Sequence, residues 1–213
     1  QAILAILDST NDIDSLDDIA IVDGPDNPIT DLTGFFECFD VTQDAVVTVY
    51  VSEPDPGTGE AWEMTWDGPF VGHTFISISQ GSNTSVFGFY PQGDEVGLSN
   101  PNDTSSLGED GGDPFSASIS TTITGSQLQQ IINFSINFNS NYDLNTYNCT
   151  DFAIEAGNIG GLNLPSSDGN WPGGGGSNPG TLGEHIRSLN PPSNSNISIN
   201  TSAGSAPTTY KGC

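Results

Sequence analysis

Acidic residues outnumber basic ones so strongly that charge constrains the whole chain. The 213 residues include 27 Asp and Glu but only two cations, Arg187 and Lys211, which gives a net charge of −25. Nucleic-acid binding needs Lys and Arg at the phosphates, so this composition excludes nucleic acid as a partner. An anionic membrane surface is disfavoured for the same reason. The composition favours solubility and Ca²⁺ binding, and it leaves few ion pairs to stabilise a fold.

The remaining composition indicates one folded domain with many loops. Apolar residues make up 34% of the chain, and the 11 Phe, 5 Tyr and 3 Trp exclude a disordered polypeptide. The 26 Gly and 14 Pro predict many turns and long connections. No apolar run approaches the roughly 18 residues that a membrane-spanning helix needs, so we expect no membrane insertion.

The three cysteines bear on both location and chemistry. An odd number in an exported protein suggests one disulfide and one free thiol. Cys213 ends a polar tail that would fray unless it were tied down, and Cys38 lies in an apolar stretch. We therefore predict a Cys38–Cys213 disulfide, a free Cys149 and a secreted or cell-surface protein. A cytosolic protein with three reduced thiols is the alternative.

Hydrophobic periodicity predicts an α+β fold with a small antiparallel sheet and long Gly/Asp-rich loops. Helices are expected over residues 126–138 and 147–156. Two segments without periodicity, 93–114 and 173–180, are expected to be loops, the second a flexible flap. The predicted strands, of which the third and fourth form a hairpin about Gly81-Ser-Asn83, cover residues 46–51, 62–66, 71–79, 86–90 and 115–123.

Changes in composition divide the chain into three parts. Residues 1–40 are an acidic N-terminal segment that is expected to pack on the core. Residues 41–190 form the main domain, which contains the candidate catalytic residues. Residues 191–213 are a polar C-terminal tail, which the predicted disulfide ties back to the rest.

Acidic side chains near the N-terminus have the spacing of a calcium loop. The stretch from Asp8 to Asp14 has oxygen ligands at alternating positions, and Asp8, Asp12 and Asp14 are its candidate calcium ligands. The Gly and the distal Glu of an EF-hand are missing. Two interpretations therefore stay open, a structural calcium site and a plain solvated segment. We expect no cofactor to be required.

Cys149 and His73 are the residues that point to chemistry. Cys149 begins a predicted helix, whose unpaired N–H groups and dipole would lower the pKa of its thiol. His73 follows Gly72 in a predicted strand, and aromatic residues flank both segments. A thiol beside an imidazole base is the minimum that acyl transfer requires.

These two segments resemble a known group of proteins. Gly72-His-Thr-Phe-Ile76 on a strand, followed by Asn148-Cys-Thr-Asp-Phe152 at a helix start, resembles the permuted branch of the NlpC-type papain-like cysteine peptidases and amidases. The lecithin–retinol acyltransferase family belongs to this branch. The resemblance covers roughly residues 41–165. It implies a permuted papain-like fold, in which a small antiparallel sheet carries the His and packs against the helix that bears the nucleophilic Cys.

The branch also carries a third polar residue, often a second His on the next strand, which this chain lacks. Folding the predicted hairpin brings Tyr90 to Gln92 opposite His73, so we expect Gln92 to orient the imidazole, with Tyr90 as the second choice. Tyr90, Trp171 and Asn148 are the candidate substrate-binding residues. The only other histidine, His185, is interpreted as a surface or cleft-rim residue.

Two functional classes compete. In the first, Cys149 attacks a carbonyl carbon and His73 moves the proton, which makes an extracytoplasmic cysteine hydrolase of amide bonds. The resemblance implies a peptide or peptidoglycan-type substrate, and acyl transfer to a small acceptor is a variant of the same chemistry. In the second, Cys149 is a small core residue and His73 is structural. The chain would then be a catalytically silent surface or adhesin-type module with a cell-surface or filament partner.

Overall fold

The computed structural model describes residues 20–66, 68–93 and 95–213. The proposed calcium ligands Asp8, Asp12 and Asp14 lie outside these residues, as does half of the acidic N-terminal segment. The described part contains one seven-stranded sheet, four two-stranded pairs and four helices. Within it, no helix has the length and apolar character that crossing a membrane requires.

The elements are numbered in chain order. The helices are α1 (Leu32–Phe36), α2 (Gly125–Ile136), α3 (Cys149–Ile159) and α4 (Pro179–Ser188). The strands are β1 (Ala20–Asp23), β2 (Ala45–Ser52), β3 (Glu63–Thr65), β4 (Gly68–Phe70), β5 (His73–Gln80), β6 (Asn83–Pro91), β7 (Glu95–Gly97), β8 (Asn102–Glu109), β9 (Pro114–Phe115), β10 (Ala117–Ile123), β11 (Asn141–Asp143), β12 (Asp168–Trp171), β13 (Gly174–Ser177), β14 (Ile197–Asn200) and β15 (Gly204–Ser205).

The large sheet is antiparallel throughout, with strand order β11-β8-β6-β5-β2-β10-β14. Mixed helices and antiparallel strands agree with the predicted α+β class. The predicted hairpin is also present: Gln80 of β5 pairs with Asn83 of β6 across a two-residue turn. Gly81 in that turn has φ of +59°, a conformation that glycine adopts without steric cost.

Helix α3 covers one face of this sheet and thereby positions its first residue, Cys149. Its apolar side, which includes Phe152 and Ala156, is fully buried against the fully buried Val49 of β2 and Phe89 of β6. The rings of Phe152 and Phe89 stack with centroids 5.5 Å apart. This packing brings the helix N-terminus to the end of the sheet where β5 starts at His73.

Strand β8 lies where the sequence predicts a loop, so that part of the prediction is wrong. Its residues, Asn102 to Glu109, include several with low strand propensity. The strand forms because its backbone pairs with β6 along one edge, while the Leu107 side chain is buried. On the other edge, the Leu107 carbonyl accepts from the Ile29 N–H. Long-range pairing therefore outweighs local propensity.

The glycine-rich segment also differs from its prediction. It contains a regular hairpin of β12 and β13, in which Asp168 pairs with Ser177 and Trp171 pairs with Gly174. Trp171 is buried at the turn end of the hairpin. The three glycines of β13 lack side chains, which allows the loop around Asn145 to approach the backbone of this strand closely.

The C-terminal tail is tied to the sheet at several points. Strand β14 extends the sheet by pairing with β10, and the backbone of Tyr210 exchanges two 2.8 Å hydrogen bonds with Thr84. The predicted Cys38–Cys213 disulfide is confirmed, and Cys149 is a free, buried thiol.

Arg187 on α4 pairs with a carboxylate in the interior. The side chain of Glu53 is completely buried, and the two terminal nitrogens of Arg187 each donate to one of its oxygens at 2.6 Å. The Ser116 hydroxyl adds a third hydrogen bond to Glu53. Arg187 also bonds Glu184, whose side chain is 38% exposed. One of the chain's two cations thus compensates a buried charge.

Candidate active site

The N-terminus of α3 is fixed by a reciprocal cap. The Asn148 side-chain oxygen accepts from the Thr150 N–H at 2.9 Å, and the Asp151 carboxylate accepts from the Asn148 N–H at 2.9 Å. The Asn148 side-chain nitrogen donates to the carbonyls of Leu144 and Ser177. Asn148 was expected to bind substrate; it lines the chamber at Cys149, and its side-chain polar atoms are engaged in capping the helix and in the bonds to these two carbonyls.

His73 is held at the start of β5 by the backbone before it. Gly72 has φ of +75°, and a side chain there would collide with the carbonyl oxygen of Ser52. Ser52 is also the residue of β2 that pairs with His73. The His73 ring contacts two aromatic rings, with centroids 4.6 Å from Tyr90 and 5.6 Å from Phe75. These contacts restrict the orientation of the imidazole.

The structure places the side chains of His73 and Cys149 close enough for their charges to interact. Burial opposes a charge on either group, but each stabilises the charge of the other. The pKa of the Cys149 thiol is consequently lowered by His73, with further help from the Thr74 backbone and the Thr150 hydroxyl. The pKa of His73 is raised to about 10 by Cys149 and Asp110, against the effect of burial. The two groups therefore favour the thiolate–imidazolium form of the pair over what burial alone would allow.

Asp110, rather than the predicted Gln92, bonds the imidazole. Its Oδ2 lies 3.2 Å from His73 Nε2, and its side chain is only 2% exposed. Its other oxygen accepts from the Tyr90 hydroxyl at 2.6 Å. Gln92 lies at an exposed position beyond β6, where its backbone N–H donates to Thr104. With Nε2 bonded to Asp110, the ring nitrogen left for the Cys149 thiol is Nδ1.

Two facing glycines make room for this arrangement. Gly88 of β6 and Gly108 of β8 pair across the sheet. A side chain at Gly88 would collide with Asp110 and would lie 2.6 Å from His73 Nε2. The contact between the imidazole and the carboxylate therefore depends on a missing side chain at this position.

We expect Gly88→Ala to weaken the reactivity of Cys149. The new methyl group would separate His73 from Asp110 and so raise the pKa of the thiol, which slows alkylation by iodoacetamide by up to about tenfold per unit of rise at a pH below that pKa. Gly81→Ala is the matched control, because it strains a turn with no atom within 4 Å of the added group. Equal rates in the two variants, after both are shown to be folded, would contradict the role of Gly88.

A small chamber adjoins the Cys149 thiol. Its volume is about 10 Å³, and Trp171 and Tyr142 are among the residues that line it. Tyr142 is fully buried, and its hydroxyl faces Cys149 without a hydrogen bond of standard geometry to any described residue. Burial raises the pKa of Tyr142 well above its ordinary value, so the phenol keeps its proton and remains a donor.

A larger cavity, of about 340 Å³, lies beside His73 and shares Gly72 with the chamber. Carboxylate side chains dominate the polar part of its wall. Burial raises the pKa of Asp113 there, and the neighbouring charge of Asp110 adds to the effect. The negative potential of this cavity favours cationic groups next to the imidazole. Its acidic lining residues are Asp23, Asp26, Glu109, Asp110 and Asp113.

Of the other predicted site residues, Trp171 and Tyr90 lie next to the Cys149–His73 pair, whereas His185 bonds Ser167 instead. Trp171 lines the chamber at Cys149, and Tyr90 contacts His73 and Asp110. His185 lies on α4, where its Nδ1 is 3.1 Å from the Ser167 hydroxyl. Sequence analysis missed Asp110 and Tyr142.

No protein-family model, curated protein or solved structure matches the chain. Among the described residues, no group of three or more His, Cys, Asp or Glu side chains is arranged to hold a metal ion.

Proposed function

We propose that the chain is an extracytoplasmic cysteine hydrolase that cleaves amide bonds, with Cys149 as nucleophile and His73 as general acid and base. The observation that carries the proposal is the buried Cys149–His73 pair at a helix N-terminus, with Asp110 on the far side of the ring. A structural cysteine does not need a charged partner, whereas a thiolate nucleophile does.

The reaction follows from the placement of these atoms. The Cys149 thiolate attacks the carbonyl carbon, and a bond forms between Sγ and that carbon. As the C–N bond breaks, the imidazolium of His73 gives its proton to the leaving amine. Water, deprotonated by the now neutral imidazole, then attacks the thioester. The products are a carboxylic acid, the free amine and the restored thiolate–imidazolium pair.

Tyr142 and the backbone of Cys149 are suited to stabilise the oxyanion. The N–H groups in the first turn of α3 receive no hydrogen bond acceptor from the helix itself. The phenol of Tyr142 faces Cys149, and its hydroxyl has no hydrogen bond of standard geometry to any described residue. Two donors aimed at a buried, water-poor point are what a developing negative oxygen requires.

Asp110 and Tyr90 act as positioning residues. The carboxylate stabilises the imidazolium, and the Tyr90 hydroxyl holds the carboxylate in place. Because Asp110 is buried and accepts from both neighbours, it keeps the His73 ring directed at the thiol.

The resemblance to the permuted NlpC-type papain-like branch supports peptides and peptidoglycan stem peptides as the substrate class. The carboxylates beside His73 add a preference for substrates that carry amines. The Cys38–Cys213 disulfide supports an extracytoplasmic location, because structural disulfides persist in oxidising compartments.

The direct test is digestion of purified peptidoglycan and of a mixed peptide library, followed by mass spectrometry of the products. We expect new amino and carboxyl termini with the wild-type protein and none with Cys149→Ala. Acid quenching should trap an acyl group on Cys149. The proposal fails if neither substrate is cleaved and no acyl adduct forms, although Cys149 is ionised.

One observation favours the second candidate, a catalytically silent interaction module. Cys149 is only 6% exposed, and the chamber beside it is closed to all but the smallest groups. In that case the thiol of the native protein would be inert, which the alkylation experiment in the Discussion measures.

A further inference from the structure

The chamber at Cys149 is too small for an ordinary acyl group. Its volume of about 10 Å³ is close to the space that one water molecule occupies. Its apolar walls come from four separate segments, through Val71, Leu144, Trp171 and Pro179. Trp171 is 7% exposed and is the largest of these side chains.

Trp171 is held in this position by the glycine-rich hairpin. The Gly175 N–H donates to the side-chain oxygen of Asn145 at 3.2 Å, and the Ser177 carbonyl accepts from Asn148 at 2.8 Å. A side chain at Gly174 would collide with Asn145 and would lie 2.7 Å from the Trp171 ring nitrogen. The hairpin is therefore attached to the loop that leads into α3, and the indole has no free space to move into on this side.

We propose that Trp171 limits the acyl group at Cys149 to an unbranched one, with glycyl or acetyl as the size class. The inference rests on the proposed function, because it describes the group that becomes bonded to Sγ. The carbonyl oxygen, directed at Tyr142, fills the water-sized space. A substituent on the neighbouring carbon would then meet the walls. Trp171 is a specificity-determining residue by this argument.

The leaving side of the substrate is not restricted in this way. The chamber and the larger acidic cavity share Gly72, and His73 lines only the latter. The amine that accepts the proton of His73 therefore departs towards a space of about 340 Å³. We therefore expect a substrate with a small acyl group and a larger amine group.

Two alkylating agents that differ by one methyl group test this restriction without a known substrate. Iodoacetamide transfers an unbranched CH₂ group to Sγ, and 2-iodopropanamide transfers the methyl-branched equivalent; in both, an S–C bond forms and iodide leaves. With the disulfide kept oxidised, Cys149 is the sole thiol. The ratio of the two rates in the native protein is divided by the same ratio in the urea-unfolded chain, which removes the intrinsic reactivity difference.

We expect the native protein to discriminate against the branched reagent by about tenfold or more beyond the unfolded chain, because an extra methyl group in a closely packed space is strongly disfavoured. Trp171→Ala should remove most of this discrimination. Trp66→Ala is the matched control, since Trp66 is 93% exposed, and it should leave the ratio unchanged. If Trp171→Ala does not fold, Val71→Ala opens the chamber from another wall and should relax the ratio in the same direction.

Equal normalised ratios in native and unfolded wild type would overturn the inference, and so would a ratio that the chamber variants leave unchanged. Failure of the proposed function has a different signature. In that case neither peptide nor peptidoglycan is cleaved and no acyl adduct forms on Cys149, whatever the ratio between the two reagents.

Discussion

In the His73→Ala variant, Cys149 is expected to react with iodoacetamide at pH 6 up to about 300-fold more slowly than in the wild type. Without the imidazolium, the pKa of the thiol returns to about 8.5 or higher, and about one molecule in 300 is then ionised at pH 6. In the wild type, His73 lowers the pKa of Cys149, so more of the thiol is ionised at the same pH, and complete ionisation sets the upper bound of the effect. The measurement is the rate of carboxamidomethylation, followed by mass spectrometry.

The alkylation rate should depend on pH differently in the wild type and in His73→Ala. Because the thiol pKa is lowered, the wild-type rate should fall only as the pH drops through that lowered value, and so at a lower pH than in the variant. Because the pKa of His73 is about 10, the imidazolium persists up to that pH. In His73→Ala the rate should instead rise about tenfold per pH unit between 6 and 8.

His185→Ala is the control for the removal of a histidine. His185 lies on α4, where it bonds Ser167, so this substitution should leave the alkylation rate unchanged. A thiol that stays inert in the native wild type would favour the interaction-module candidate. A fast reaction that survives His73→Ala would show that the base is wrongly assigned.

Arg187→Ala should lower the free energy of unfolding by about 3–5 kcal/mol, the cost of leaving one member of a buried ion pair without its partner. Glu53 has no solvent exposure and receives two 2.6 Å hydrogen bonds from Arg187. The remaining hydrogen bonds, from the Ser116 hydroxyl and the Gly57 N–H, do not neutralise its charge. Urea denaturation with the disulfide intact measures the change.

Glu184→Ala separates the buried pair from the exposed one on the same arginine. Glu184 bonds Arg187 at 2.9 Å but is 38% exposed, so its removal should cost less than about 1 kcal/mol. A similar loss of unfolding free energy in the two variants would contradict the assignment of Glu53 as a buried charge that Arg187 compensates.

The parts of the fold that the sequence predicts are those with a strong local pattern. The β5–β6 hairpin follows from two apolar runs around Gly81, and helix α3 follows from its cap and its apolar side. The Cys38–Cys213 disulfide follows from an odd cysteine count and a terminal position. Each of these inferences uses neighbouring residues or a simple count, so no knowledge of the sheet order is needed.

The residues that the sequence does not reveal depend on β8. Asp110 directly follows β8, and Tyr142 lies on β11, which pairs with β8. Since Asn102 to Glu109 has the composition of a loop, neither residue can be placed near Cys149 from local patterns. In the structure, Ser105 and Leu107 are buried at alternate positions of β8. Only if this segment is read as a strand next to the β5–β6 hairpin does Asp110 come to lie beside His73.

The Cys38–Cys213 disulfide has a topological consequence for how the molecule tolerates damage. It closes residues 38–213 into one covalent ring that holds every strand of the large sheet and both members of the Cys149–His73 pair. A single hydrolytic cut in an exposed connection, such as residues 55–58, opens that ring but releases no fragment. The two pieces stay joined through the disulfide, so one nick yields a two-chain protein with the same set of strands.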